Sequence, residues 1–113
     1  WNDALLNAEK LRGTQLYISS ATGLAGRADQ VSYLTGVGLP ELTAQLTAAQ
    51  LQVEGGIIEA AINQCTHDLR AKLNGLGIPA HYELRNVGTH SWPYWREDLG
   101  RAWQTTLAPA LGL

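Results

Sequence analysis

The chain has 113 residues and a formal net charge of −2 at pH 7, with eight basic and ten acidic side chains. This length makes one domain or part of one. The nearly balanced charge argues against a nucleic-acid surface, which needs a basic stripe. No apolar run approaches the roughly 20 residues that span a bilayer, so we do not expect a transmembrane protein. Because the sequence contains no Met, we expect it to be a portion of a longer polypeptide.

The first third of the chain predicts one strand between two less regular segments. Residues 3–11 favour a short helix that ends at Gly13. Residues 15–21 are apolar in the middle and rich in β-branched and aromatic side chains, which predicts a strand covered on both faces. Residues 22–39 contain four glycines and little periodicity, which predicts a long loop.

Two helices are predicted next. Pro40 occupies a favourable first helical position, and apolar residues continue at helical spacing until Gly55 and Gly56 interrupt them. The second helix is the clearest in the chain and ends before Gly75 and Pro79. It is predicted to bury one stripe, formed by Ile58, Ile62, Cys65, Leu69 and Leu73. The only cysteine is thus expected to be buried as a small apolar side chain, with a disulfide to a cysteine outside this sequence as the alternative.

The last third predicts a second strand, a turn and a final helix. Residues 80–85 alternate with period two, which is typical of a strand near a sheet edge. A turn over 86–91 leads to a helix whose first turn contains Pro93. The face expected to be buried consists of Trp95, Leu99, Trp103 (or Ala102), Thr106 and Ala110. The order strand, helix, strand predicts a parallel pair joined by a crossover, and hence the α/β class.

Among the three histidines, only one lies where α/β enzymes carry working groups. His67 lies opposite the apolar stripe of its helix and should be solvated, and His81 lies on the polar face of its strand. His90 follows a strand and precedes a helix, so it is the catalytic candidate. The alternative is a loop histidine that satisfies backbone groups of the turn.

Other catalytic signals are missing from the sequence. There is no His-x-x-x-His, no Cys-x-x-Cys, no clustered carboxylate pair and no phosphate-binding glycine pattern, so we expect no metal and no cofactor. There is also no G-x-S-x-G nucleophile elbow, and Ser91 is adjacent to His90, from which it should point away. In α/β-hydrolases the chain order is serine, then acid, then histidine. A strand, Glu59, a second strand and His90 follow one another in the order expected after such a serine.

Residues 88–95 read Gly-Thr-His-Ser-Trp-Pro-Tyr-Trp, which resembles the G-T-H-S-W-x-Y-W block of the antigen 85 mycolyltransferases and their esterase relatives. The helix that begins near Ile58 and Glu59 is similar to the acid-bearing helix of that family, and Glu59 precedes His90 by 31 residues, close to the family spacing. The resemblance implies that residues 1–113 are the C-terminal part of one α/β-hydrolase domain. They would supply the last two parallel strands with the crossover and terminal helices, and the nucleophile would come from the N-terminal part.

The resemblance also implies roles for individual residues. His90 would be the general base and Glu59 the acid that holds its other ring nitrogen, while Ser91 and Trp92 would contact substrate. Glu54, five residues before Glu59, is the rival acid. For either carboxylate the alternative is a solvated side chain at a helix start.

The implied reaction is acyl transfer through an acyl-enzyme, from a mycolyl or other acyl donor to a trehalose glycolipid or a cell-wall sugar. The implied partners are such an acyl glycolipid and the N-terminal part of the same protein, and the implied location is secreted or in the cell envelope. Two alternatives stay open. The protein could be a carboxylesterase that transfers acyl groups to water, or a non-catalytic binding module with a hydrolase fold.

Overall fold

A computed structural model describes residues 3–113 and contains a two-stranded parallel sheet. Strand β1 spans Tyr17–Ala21 and strand β2 spans His81–Arg85, with Tyr17 opposite His81 and Ala21 opposite Arg85. The predicted α/β class and the predicted parallel pair are therefore confirmed. Since both strands run the same way, the segments that follow Ala21 and Arg85 leave the sheet at the same edge.

The crossover between the strands is helical over most of its length. Its three α-helices are α1 (Val31–Gly36), α2 (Glu41–Gln50) and α3 (Gly56–Gly75). The prediction of a loop over 22–39 was wrong in part, because a 3-10 turn over Arg27–Asp29 precedes α1 in this segment. The predicted break before α3 was also wrong, because the chain continues through one π-helical turn, Leu51–Gly55. Such turns inside helices are frequent at functional sites.

Helix α3 turns a different face to the sheet from the one predicted. Ile58 and Ile62 are exposed and Cys65 is an exposed free thiol, so the expectation of a buried cysteine was wrong. Leu73 is buried as predicted, but Glu59 and Thr66 share the buried face with it, and the three follow one another at intervals of seven residues. Polar contacts cause this orientation: besides the contacts of Glu59 described below, the Ser20 hydroxyl donates to Asn63 Oδ1 at 3.0 Å.

The last helical segment comprises α4 (Trp92–Ala102), a π-helical turn (Trp103–Leu107) and a short α5 (Ala108–Ala110). Ala102 and Thr106 are buried as predicted, but the other buried positions are Tyr94 and Asp98. Each lies one residue before the predicted Trp95 and Leu99, and Leu99 is 65% exposed. The physical reason is an ion pair between Asp98 and Arg85 of β2, which turns this face toward the sheet.

Small side chains form most of the apolar core. One cluster packs Ala8, Leu73 and Ile78 below the sheet, and another packs Leu34, Ala44 and Ala48 between α1 and α2. Ala8 belongs to a 3-10 helix, Ala8–Leu11, which stands where a short helix over 3–11 was predicted. Within residues 3–113, no helix combines the length and the apolar character needed to cross a membrane.

Candidate functional site

The structure brings His90 and Glu59 into direct contact. The Nδ1 atom of His90 lies 3.0 Å from Oε2 of Glu59. Glu59 is 3% exposed, whereas the side chain of His90 is 36% exposed. The pair thus has a buried acid and an imidazole that reaches the surface.

Both oxygens of Glu59 have a hydrogen-bond partner. While Oε2 faces the imidazole, Oε1 accepts from the backbone N–H of Ala21 at 2.9 Å, at the carboxyl end of β1. A buried carboxylate is costly unless it is hydrogen-bonded, and here both oxygens have a partner. The acid is therefore fixed between the sheet edge and the imidazole.

A close approach of two glycines brings α3 to that edge. The backbone of Gly23, in the turn after β1, has a φ of +87° and packs against Gly56, the first residue of α3. A Cβ on Gly56 would lie 2.7 Å from the Gly23 carbonyl oxygen, which is too close for any side chain. The Gly55-Gly56 pair that suggested a helix break serves instead to place Glu59 beside Ala21.

The loop that carries His90 is held by backbone contacts on the same side. The N–H of His90 donates to the carbonyl of Gly55 at 3.1 Å, and the N–H of Gly23 donates to the carbonyl of Gly88 at 3.0 Å. The π-helical turn before α3 thus supplies an acceptor for the histidine backbone, while α3 itself supplies the acid for the ring. The same continuous helical run therefore holds both the backbone and the ring of His90.

One tryptophan adjoins the imidazole, and a second packs against the first. The ring of Trp95 meets His90 edge to face, with 4.6 Å between centroids, and Trp92 meets Trp95 in the same way at 5.1 Å. Trp92 is 77% exposed. It lines a groove of about 400 Å³ together with Tyr33, Leu34, Val37, Pro93 and Arg96. Trp92 and Trp95 therefore link this groove to the histidine through ring contacts.

The second ring nitrogen of His90 has no hydrogen bond from any of residues 3–113. An ionised Glu59 can only accept, so in a neutral imidazole beside it Nδ1 holds the proton and Nε2 the lone pair. No serine of this part of the chain reaches it: Ser20 is bonded to Asn63, and the buried Ser91 hydroxyl has no partner. The arrangement can therefore accept a proton from a group outside the described residues.

The rival residues lie elsewhere. Glu54 is exposed and accepts a hydrogen bond from Gln50 at 3.2 Å, so the rival acid does not meet His90. His67 is exposed, as predicted, and His81 stacks on Tyr17 with 5.1 Å between ring centroids. Over residues 3–113, no group of three or more His, Cys, Asp or Glu side chains could hold a metal ion.

One buried acid of this region was missed by the sequence reasoning. Asp29 is 0% exposed and accepts hydrogen bonds from the hydroxyls of Thr89 and Tyr94. Burial and the hydrogen bond to Asp29 raise the pKa of Tyr94 far above its usual range. Asp29 lies in the glycine-rich segment that was predicted as loop, and no periodicity there marks it as buried.

The chain matches no protein-family model and no curated protein sequence at a significant level.

Proposed function

We propose that this chain supplies the histidine and the acid of a serine-dependent acyl-transfer enzyme that resembles the antigen 85 mycolyltransferases. It would form the C-terminal portion of an α/β-hydrolase domain, and a serine outside these 113 residues would be the nucleophile. The donor would be an acyl glycolipid of the trehalose mycolate kind, and the acceptor a second such glycolipid or a cell-wall sugar. The resemblance also suggests a secreted or envelope location.

The observation that carries the proposal is the contact between Glu59 and His90. A buried carboxylate on Nδ1, together with an Nε2 that no described residue occupies, is the arrangement that a general base needs in a triad. Many ion pairs on protein surfaces contribute nothing measurable to stability. This pair differs because its acid is fully hydrogen-bonded inside the protein while its base reaches the surface at the edge of a sheet.

The residues suggest a division of labour in two half-reactions. In the first, Nε2 of His90 takes the proton of the serine hydroxyl as its oxygen attacks the ester carbonyl, and then returns it to the departing alcohol. The serine is left as an acyl ester. In the second, His90 takes a proton from the acceptor hydroxyl, and the serine recovers it when the acyl group moves. Glu59 stabilises the charged ring in both.

Substrate contacts would come from the aromatic side of the site. Trp92 is largely exposed and lines the groove described above, and the apolar members of that groove suit an acyl chain. Arg96, at the same groove, could meet a polar head group. Ser91, the other predicted substrate contact, has a buried hydroxyl without a partner and does not line that groove, so no observation supports a substrate contact for it.

Water is the simplest competing acceptor, and in that case the same residues make a carboxylesterase. The test is to incubate the protein that contains this chain with a short-chain nitrophenyl ester, with and without trehalose, and to follow nitrophenol release and acyl-trehalose by mass spectrometry. Acyl-trehalose that depends on His90 supports transfer. Hydrolysis unaffected by trehalose supports the esterase and removes the transferase.

A matched pair of variants ties this activity to the site. His90→Ala should lower turnover by about three orders of magnitude or more, since the residual rate depends on binding and other donors alone. His67→Ala, an exposed histidine of α3, should leave turnover unchanged. If the wild-type protein neither turns over esters nor forms an acyl-serine, the non-catalytic binding module becomes the better interpretation.

A further inference from the structure

A second buried carboxylate lies behind the loop that carries His90. Oδ1 of Asp29 accepts a hydrogen bond from the Thr89 hydroxyl at 2.6 Å. Oδ2 accepts from the Tyr94 hydroxyl at 2.7 Å and from the backbone N–H of Gly26 at 2.8 Å. Asp29 and Thr89 are both 0% exposed. Two of the three donors, Thr89 and Tyr94, lie within four residues of the histidine.

The position of Asp29 is itself fixed by its own turn and by one other element. Its short 3-10 turn begins after Gly26, and its backbone carbonyl accepts from the side-chain amide of Gln52 at 2.8 Å. Gln52 belongs to the same π-helical turn whose Gly55 carbonyl accepts from the His90 backbone. The π-helical turn that holds the backbone of His90 therefore also holds the backbone of Asp29.

Thr89 connects Asp29 to His90, because its hydroxyl binds Asp29 and it directly precedes His90 in the chain. Two rotations could tilt the imidazole: one about its own side-chain bonds, which Glu59 restrains, and one of the loop backbone. Rotation of the backbone is restrained by two hydrogen bonds: one from the His90 N–H to the Gly55 carbonyl, and one from the Thr89 hydroxyl to Asp29. A bond from a hydroxyl to a buried carboxylate is charge-assisted and short, which makes it stronger than a neutral one.

We propose that Asp29 is a positioning residue that acts through Thr89, holding the backbone of His90 at the angle at which Nε2 faces the nucleophile. This rests on the proposed function, because the angle matters only if His90 exchanges protons with substrate. The predicted effect is on turnover rather than on substrate binding. A displacement of a reacting group by about 1 Å can cost about 100-fold in rate.

The test uses isosteric variants of the protein that contains this chain. Thr89→Val removes the hydroxyl but keeps the shape, and should lower kcat 10- to 100-fold, as expected for misplacement, with KM within about twofold. Thr89→Ser keeps the hydroxyl and should restore most of the rate. Thr66→Val is the matched control, since the buried Thr66 hydroxyl donates only to the carbonyl of Ile62 in its own helix. It should leave kcat unchanged.

A double-variant cycle assigns the effect to Asp29. If Asp29 acts through Thr89, the double variant Asp29→Asn/Thr89→Val should lose no more kcat than the worse single variant, because the second change removes a bond that is already gone. Losses that multiply would mean that the two residues act independently, and would overturn the proposal. So would a Thr89→Val variant with wild-type kcat.

A measurement that does not need activity separates this proposal from the proposed function. The proton between Nδ1 of His90 and Glu59 can be followed by NMR in wild type, Thr89→Val and Thr66→Val. A changed resonance in Thr89→Val alone supports positioning even if the protein turns over no ester. An unchanged resonance in a protein that is active contradicts positioning while the proposed function stands.

Discussion

Replacement of Glu59 by Gln tests the candidate site without changing the size of the side chain. The wild-type carboxylate accepts two hydrogen bonds, from the Ala21 backbone at 2.9 Å and from Nδ1 of His90 at 3.0 Å. An amide has only one oxygen. Ala21 is fully buried and its N–H has no other acceptor in residues 3–113, so the oxygen should remain there. The amide NH₂ then faces His90.

The consequence for the imidazole is a change of tautomer. An NH₂ group facing Nδ1 is a donor, so Nδ1 must become the acceptor and the ring proton moves to Nε2. A histidine protonated at Nε2 cannot take a proton from the serine. In a serine protease the same kind of change lowers kcat by about 10⁴, which corresponds to about 5.4 kcal/mol in the activation free energy. Stability should fall by only about 1–2 kcal/mol, because one charge-assisted bond becomes neutral.

The assay is ester turnover by the protein that contains this chain, with urea unfolding measured on the same samples. Glu54→Gln is the matched control, since Glu54 lies five residues earlier in the same helical run and is exposed. It should retain full activity and stability. The reasoning is refuted if Glu59→Gln keeps more than a tenth of the wild-type kcat, or if Glu54→Gln loses as much.

Three further predictions concern the packing and the buried polar contacts around the site. Gly56→Ala should destabilise the protein by about 1–3 kcal/mol in urea unfolding and also lower kcat, because the new Cβ would lie 2.7 Å from the Gly23 carbonyl. Asp98→Asn should cost about 3–5 kcal/mol by the same measurement, since it leaves the largely buried guanidinium of Arg85 without a counter-charge. Above about pH 10, where an unfolded tyrosine ionises, the free energy of unfolding should fall with pH, because burial raises the pKa of Tyr94 and the folded state keeps the proton. Tyr94→Phe should make this decline shallower, which urea unfolding between pH 8 and 11 would measure.

Each of these has a control and an opposing outcome. Gly75→Ala should be neutral or slightly stabilising, because no atom lies within 4 Å of its added Cβ; a cost equal to that of Gly56→Ala would mean that crowding is not the cause. Glu83→Gln breaks the more exposed pair with Arg101 and should cost less than about 1 kcal/mol. A loss as large as that of Asp98→Asn, or an alkaline decline unchanged in Tyr94→Phe, would contradict the corresponding prediction.

Local patterns in the sequence were sufficient to predict the two strands and their parallel pairing. The first strand was predicted because apolar and β-branched residues concentrate there, and the second because its residues alternate with period two. Their parallel pairing followed from the helix between them. The chain order places Glu59 between the two strands and His90 after the second. Their contact also depends on the packing of Gly23 against Gly56, which the sequence did not predict.

The helix faces could not be predicted in the same way. In α4 the buried face starts at Tyr94 rather than Trp95, a rotation of about 100° for one residue. Hydrophobicity favoured the tryptophan, but Asp98 has to reach Arg85. In α3 the same competition buries Glu59 and leaves Ile58 exposed. In both helices the buried face is determined by polar contacts between residues at least 13 positions apart in the chain. Such contacts leave no periodic signal in the sequence.

The central claim is that His90 is the base for a serine outside residues 1–113. Its most direct test is to treat the protein that contains this chain with a fluorophosphonate and to map the modified residue by mass spectrometry, in wild type and in His90→Ala. One modified serine outside this sequence, labelled in wild type and barely labelled in His90→Ala, is the expected result. Equal labelling of both proteins, or active protein without any modified serine, would contradict it.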